Sequence, residues 1–298
     1  WSHRPAPPSV YVPEIPPGLD ALVMGLLSLD PALRPRSAFE VMSQLHALAK
    51  LEERELFEAS RVYLTAPLLV GRESLLAKVQ RRTTQARVRR GSGLLIDGAP
   101  GTGRSRALAA AVLQAKLGGL SVVRADAHRV GRQPFALVTQ VMQQLLRLAP
   151  EASIAAARRT ERAELLFDGL VPEAGATAAP LALKALSVDP ALRLPLQQAL
   201  TSFCTQLARR HTLAFAIDDI DDADEPSIAW LASLAELAKR QRMLLLYTAR
   251  KASIDNGSHP ALSLIAERCS RNTLQPFTLE QLQTLCDSIF GNVPYVGL

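Results

Sequence analysis

Gly98-Ala99-Pro100-Gly101-Thr102-Gly103-Arg104-Ser105 is the stretch on which the reading of this chain turns. Its glycines let backbone N–H groups turn inward around an anion, and a following helix would add its positive N-terminal end. The flanks suit that reading. An apolar run, Gly93–Asp97, leads in as a strand, and an Ala-rich segment, Ser105–Leu117, leads out as a helix. The spacing fits G-x-x-x-x-G-K-[S/T] with one departure, and a plain glycine-rich turn is the weaker alternative. In this pattern the Ser105 hydroxyl ligates Mg²⁺ and the basic residue before it reaches the β- and γ-phosphates of a nucleotide. Gly98, Pro100, Gly101, Thr102, Gly103, Arg104, Ser105 and Arg106 are therefore the candidate nucleotide-binding residues. The departure is Arg104, where Lys is usual. Arg keeps the charge and clasps phosphate with two N–H groups, but it is planar and bulkier than an ammonium. Binding is expected to survive this change, while hydrolysis stays open.

Working outward, short apolar runs alternate with helical segments. The strands are expected at Gly93–Asp97, Ser121–Ala125, Leu213–Asp218, Leu244–Thr248 and Asn272–Gln275, the first four of a kind buried on both faces of a parallel sheet. Helices are expected at Ser105–Leu117, Pro134–Leu148, Leu194–Arg209 and Ser227–Arg240, with Ser153–Val188 a helical insertion or mobile loop. Such alternation predicts an α/β fold of three αβα layers around a central parallel sheet, with right-handed crossovers.

Two further strands end in chemistry. Leu213–Ile217 delivers Asp218 and Asp219, which suits Asp218 for Mg²⁺ and Asp219 for polarising an attacking water. Asp221, Asp222, Asp224 and Glu225 crowd the same turn, where acids also favour a helix start. Met243–Tyr247 delivers Thr248 and Arg250 to the strand end where ligands sit in open α/β sheets. Arg250 either touches the γ-phosphate or simply ends a strand at the surface.

The N-terminal region reads differently. Six prolines among the first 17 residues predict an extended run. Leu19–Leu29 has helical spacing and is stopped by Asp30-Pro31. A second helix follows Pro35, with Ser37 as N-cap and Glu40 placed for a capping box. Its charged tail from Lys50 to Glu55 is read as a solvated prolongation. The expected organisation is thus a helical piece at 1–50, a linker at 51–66 and the α/β domain at 67–298.

The joint order of motifs adds a resemblance. Leu68-Leu69-Val70-Gly71-Arg72-Glu73, Gly98–Ser105, Gln133-Pro134-Phe135, Ile217-Asp218-Asp219 with Ala223–Ser227, Thr248-Ala249-Arg250 and Leu274-Gln275-Pro276-Phe277 together resemble the STAND-type, AAA-related signalling P-loop ATPases. The resemblance implies a P-loop NTPase fold, ATP or ADP with Mg²⁺ as ligands, and a regulatory on–off switch. It also implies that Val70, Gly71 and Arg72 line the adenine pocket, that Asp218 and Asp219 serve metal and hydrolysis, and that Arg250 senses the γ-phosphate. By the same resemblance the chain stops before the helical lid and C-terminal sensor region. It leaves room for self-association on ATP binding. Separately, Ile15–Leu19 with Asp30-Pro31-Ala32-Leu33-Arg34-Pro35 and Ser37–Val41 resembles the end of a bacterial Ser/Thr protein kinase C-lobe. That implies a parent molecule whose kinase domain is a partner. The Gly-rich, H-R-D and D-F-G segments are absent, so this chain cannot itself phosphorylate protein. A non-hydrolysing nucleotide-binding scaffold and the ATPase of a DNA-binding transcription regulator are the alternatives.

Composition fits this picture. The chain has 298 residues, 48% hydrophobic and 5% aromatic, enough apolar material for helices packed on a sheet. Its three cysteines have no metal-ligand spacing and argue for a reducing, cytoplasmic setting. No apolar run is long enough to span a bilayer. The start, Trp1-Ser2-His3-Arg4-Pro5, is not a signal peptide, and the chain reads as a fragment of something longer. The five histidines are too scattered to form a ligand set. Arg81, Arg82, Arg87, Arg89 and Arg90 form a basic cluster without aromatic interleaving. A solvated helix face is the favoured reading of it, and a nucleic-acid partner is not expected.

Overall fold

Alternating side chains explain why five short segments become one sheet. The strands are β1 (Ser92–Gly98), β2 (Ser121–Asp126), β3 (Leu213–Asp218), β4 (Met243–Arg250) and β5 (Ser270–Leu274), all parallel, in the order β2-β3-β4-β1-β5. The helices are α1 (Pro17–Leu26), α2 (Ala38–Ala49), α3 (Glu73–Arg87), α4 (Arg104–Leu117), α5 (Ala127–Val130) and α6 (Ala136–Leu148). They continue with α7 (Pro150–Ala157), α8 (Pro190–Ala208), α9 (Glu225–Ala238), α10 (Lys251–Asp255), α11 (Pro260–Arg268) and α12 (Leu279–Phe290). The computed structural model describes residues 5–35, 37–49, 69–167, 190–257 and 259–290.

Successive strand residues point to opposite faces, so each central strand feeds two cores. Leu94, Ile96, Ala214, Ala216, Leu244 and Leu246 face α3 and α4, against Leu75, Val79, Ala107, Leu108 and Ala111. The small side chains of β3 and α4 meet there, which lets the helix that follows the glycine loop lie close on the sheet. Leu95, Phe215, Ile217, Leu245 and Tyr247 face the opposite layer, with Met142, Phe203 and Trp230. Phe215 and Trp230 meet edge to face with centroids 6.4 Å apart. The result is the expected three-layer αβα fold.

Three details depart from the sequence-based expectations. β2 is an edge strand with only Val123 and Ala125 buried, and not a strand covered on both faces. The chain carries it there because β3 and β4 separate it from β1. The proline-rich start does not run extended throughout. Pro8–Val10 forms a 3₁₀ turn, tied down by Ser9 donating through its N–H (2.9 Å) and its hydroxyl to the Asp20 carboxylate. α1 stops at Leu26, short of Leu29, and the Arg34 Nε then donates to Ser28 O at 2.9 Å across the turn that follows.

Ser37 does accept from Glu40 N (3.2 Å), as its N-cap reading requires. The α1–α2 pair sits on α4. Lys116 Nζ lies 2.8 Å from the Glu40 carboxylate, and a Cβ on Gly18 would come 2.9 Å from Leu117 O. Arg147 of α6 reaches Asp30 at 2.8 Å. Of the expected 153–188 insertion, α7 and a 3₁₀ turn at Ala163–Leu165 account for the start. Its remainder from 168, the 51–66 linker, the charged helix extension and residues 291–298 lie outside the described residues. Among the described residues no helix is long and apolar enough to cross a membrane.

Candidate functional site

Because all strands are parallel, their C-terminal ends share one edge, and every candidate loop emerges there. In register, Gly98 lies opposite both Arg250 and Leu274, and Asp126 lies opposite Asp218. The glycine loop needs its glycines for backbone reasons. Gly101 and Gly103 have φ of 81° and 84°, the left-handed region that side chains disfavour. A Cβ on Gly98 would come within 2.5 Å of Thr102 Oγ1. Thr102 closes the loop from inside, its hydroxyl donating to Ala99 O at 2.8 Å. Gly103 caps α4 without a side chain, and the first helical bond runs from Ala107 N to Gly103 O (2.8 Å). Among the described residues no acceptor meets the N–H groups of Gly103, Arg104 or Ser105. Unpaired donors at the positive end of a helix are an anion site. Ser105, Pro100 and Arg106 are exposed at its rim.

Arg104 ties this loop to β3. One guanidinium nitrogen donates to Gly98 O (2.9 Å) and Ala99 O (3.3 Å), and the other to Asp219 Oδ1 at 3.0 Å. Asp218 is buried and accepts from the Thr248 hydroxyl, whose oxygen in turn accepts from Asp219 N at 2.7 Å. Asp219 takes a left-handed φ of 47°, which turns its carboxylate out of the strand line. Burial pushes its carboxyl above the usual range, the Arg104 hydrogen bond works against this, and the nearby Asp218 charge adds to it. Thr248 thus belongs to the site through both aspartates, a role its position at a strand end hinted at but did not assign.

Arg250 is engaged elsewhere. Its Nε meets Asp221 and its terminal nitrogen meets Asp222, both at 2.6 Å. Asp221, read from the sequence only as part of an acidic turn, has a side chain just 1% exposed and also accepts from Ser253 Oγ at 2.7 Å. These carboxylates hold the Arg250 guanidinium above its usual range. His128 and Arg132 approach Asp222 from the β2 side, at 3.4 and 3.6 Å.

The Val70–Arg72 segment closes the site from the β5 side. Gly71 has φ of 66°, and Gln281 of α12 packs so near that a Cβ there would come 2.3 Å from its side-chain nitrogen. Arg72 is buried. It donates to Thr102 O and Gln275 O, both at 3.1 Å, and lies 4.7 Å from the centroid of the Phe277 ring. Burial lowers its pKa. Arg72 therefore straps the glycine loop to the exit of β5, which sequence reading placed only beside an adenine.

A family model described as "AAA ATPase domain" matches residues 68–246, more than half of the chain. The chain belongs to the AAA ATPase domain family. A search of solved structures found the Aeropyrum pernix ORC1 protein in complex with DNA, at 17% identity and a TM-score of 0.41. That match covers 76% of this chain and 50% of the other, so the chain spans half the length of that neighbour. No curated protein matches the sequence.

Within this AAA ATPase domain, two buried acids support the site from behind. Asp97, one residue before the loop, accepts from Arg271 (2.7 Å) and Thr273 (2.9 Å) of β5, and Arg271 also reaches Asp255 at 2.7 Å. Asp224 caps α9. Its carboxylate accepts from Ser227 N (3.0 Å) and Ser227 Oγ (2.6 Å), and from Phe135 N at 2.8 Å. Phe135 is a non-glycine residue at φ 60°, held there by that bond. The Gln133–Phe135 and Asp224–Ser227 motifs are therefore two halves of one contact. Asp224→Ala should lower stability by about 2 kcal/mol, since it removes a cap and leaves buried donors unpaired. Thermal unfolding measures this, and a loss below about 0.5 kcal/mol would mean that water replaces the carboxylate.

Proposed function

We propose that this chain is an ATP-binding, slowly hydrolysing regulatory switch of the STAND type, within a bacterial signalling protein where it follows a Ser/Thr kinase domain. The observation that carries the reading is Arg104, which joins the glycine loop to Asp219 and so brings the phosphate cradle and the acidic strand end together. The residues present fit the ligand. Three unpaired N–H groups and left-handed glycines suit phosphate oxygens, and the exposed Ser105 hydroxyl with Asp218 suits Mg²⁺. Mg²⁺ held there would be completed by water and phosphate. Bound Mg²⁺ and ATP supply an electrophilic γ-phosphoryl group whose charge the metal spreads. Val70, Gly71 and Arg72 form the adenine side. Asp219 orients the attacking water and accepts its proton. Arg250 reads the γ-phosphate by leaving Asp221 and Asp222.

The Arg104–Asp219 ion pair also favours a second reading, a scaffold that binds nucleotide and never hydrolyses it. Phosphate release assays separate the two. Slow turnover that Asp219→Asn abolishes while ATP still binds supports the switch, whereas binding without turnover in the unaltered protein supports the scaffold. The kinase linkage rests on the resemblance of the Asp30-Pro31…Arg34-Pro35 segment to the end of a kinase C-lobe. The coding sequence ahead of Trp1 should then carry a kinase Gly-rich loop, H-R-D and D-F-G, and their absence would remove that part of the proposal.

A further inference from the structure

The edge opposite the nucleotide site carries a dense cluster of basic side chains. It is built by the loops that enter β1, β3 and β4, which are neighbours because those strands are neighbours. Backbone bonds lace the loops together: Gly91 N to Gln241 O (3.1 Å), Leu213 N to Arg242 O (2.9 Å) and Ser121 N to Thr212 O (2.9 Å). Gly91 permits the closest approach, since a Cβ there would come 2.3 Å from Ala238 O and Met243 O. Strands lie about 4.8 Å apart, so the three loops present their side chains within about 10 Å of sheet edge.

These loops comprise residues 87–91, 209–212 and 239–242, and they hold seven Arg, one Lys and no Asp or Glu. Eight formal positive charges on one edge exceed the net +6 of the whole chain. Arg87, Arg89, Arg90, Arg209, Arg210 and Arg240 are exposed, and none makes an ion pair or hydrogen bond from its side chain among the described residues. Lys239 is paired, 3.2 Å from Glu236. Helix C-termini end at this edge, and a basic residue at each would offset a helix dipole. One or two charges per loop would suffice for that, and Arg89 and Arg90 lie beyond the end of α3.

We infer that this edge is a docking surface for the phosphate backbone of duplex nucleic acid, read without sequence preference. Arg outnumbers Lys, and its planar fork pairs with phosphate through two N–H groups. Val88 is the only exposed large apolar residue in the three loops, and they contain no Phe, Tyr or Trp. Membrane insertion and base stacking both need such groups, so the edge suits a regular array of phosphates better. The sequence cluster Arg81–Arg90 showed only one of the three contributing loops, and the sheet order supplies the others.

Fluorescence anisotropy with a short mixed-sequence duplex DNA tests this, titrated between about 50 and 200 mM salt. The unaltered chain is compared with a variant carrying Arg89→Ser, Arg90→Ser and Arg210→Ser. Circular dichroism and ATP titration establish that the variant is folded and that its nucleotide site is intact. Binding that weakens steeply with salt, and at least about tenfold in the variant at low salt, is expected. Three outcomes overturn the inference: no duplex binding, binding unchanged in the folded variant, or binding to phosphatidylserine vesicles without binding to duplex. None of these bears on the nucleotide site, which the ATP titration reads separately.

Discussion

Asp97→Ala is expected to cost about 3 kcal/mol of stability, the lower end for breaking a buried ion pair because Arg271 reaches solvent. The Asp97 side chain is fully buried and serves two donors on β5. Removing it takes the acceptor from the half-buried Thr273 hydroxyl and leaves Arg271 with Asp255 alone. The carboxylate partners also hold the Arg271 guanidinium above its usual range, hydrogen bonding to Asp97 being the largest cause. Urea unfolding with an unchanged m-value would isolate the effect. Asp97→Asn keeps the shape and one acceptor, so it should lose clearly less than alanine. Since Gly98 follows directly, the alanine variant should also bind nucleotide more weakly. A cost below about 1 kcal/mol would show that β5 is held to β1 by its backbone ladder alone.

Arg104→Lys should raise ATP turnover about tenfold, a change of about 1.4 kcal/mol in the barrier. The guanidinium spans Gly98 O, Ala99 O and Asp219 from two nitrogens, and so holds the carboxylate against the loop. A single ammonium cannot span all three, and it supplies the compact charge usual at this position. Asp219 would then be free to orient water. Steady-state phosphate release under saturating ATP measures the change. Equal or lower turnover in the lysine variant would show that Arg104 does not restrain Asp219.

The sheet was legible because its central strands are short, apolar runs bounded by turns. Leu94–Ile96, Leu213–Ile217 and Leu244–Tyr247 have almost no other way to bury themselves. The phosphate loop was equally plain, since glycine spacing records backbone conformation directly, and Gly101 and Gly103 have the positive φ it implied. Edge position was not legible: Ser121–Ala125 is apolar enough to be central, and only topology puts it at the rim. The long-range polar contacts were hidden for a different reason. Arg250 with Asp221, Arg271 with Asp97 and the Phe135 N–H with Asp224 join residues far apart in sequence, and no local period marks such a pairing. For the same reason Asp221 read only as part of an acidic turn, yet its side chain is 1% exposed and bonded to Arg250 and Ser253. Arg72 shows a partial success. Its motif pointed to the site, but its strap to Thr102 and Gln275 needed the fold to bring them within reach.

The central claim is that Gly98–Ser105 holds the phosphates of a nucleotide with Mg²⁺, and calorimetric titration with ATP and ADP tests it most directly. Titrations with and without Mg²⁺ would run beside Arg104→Ala and Ser105→Ala. Saturable binding is expected, strengthened by Mg²⁺ in the unaltered chain. Arg104→Ala should weaken it in all conditions, and Ser105→Ala should remove the Mg²⁺ enhancement. Absence of binding by a chain that unfolds cooperatively, or binding indifferent to both substitutions, would contradict the account.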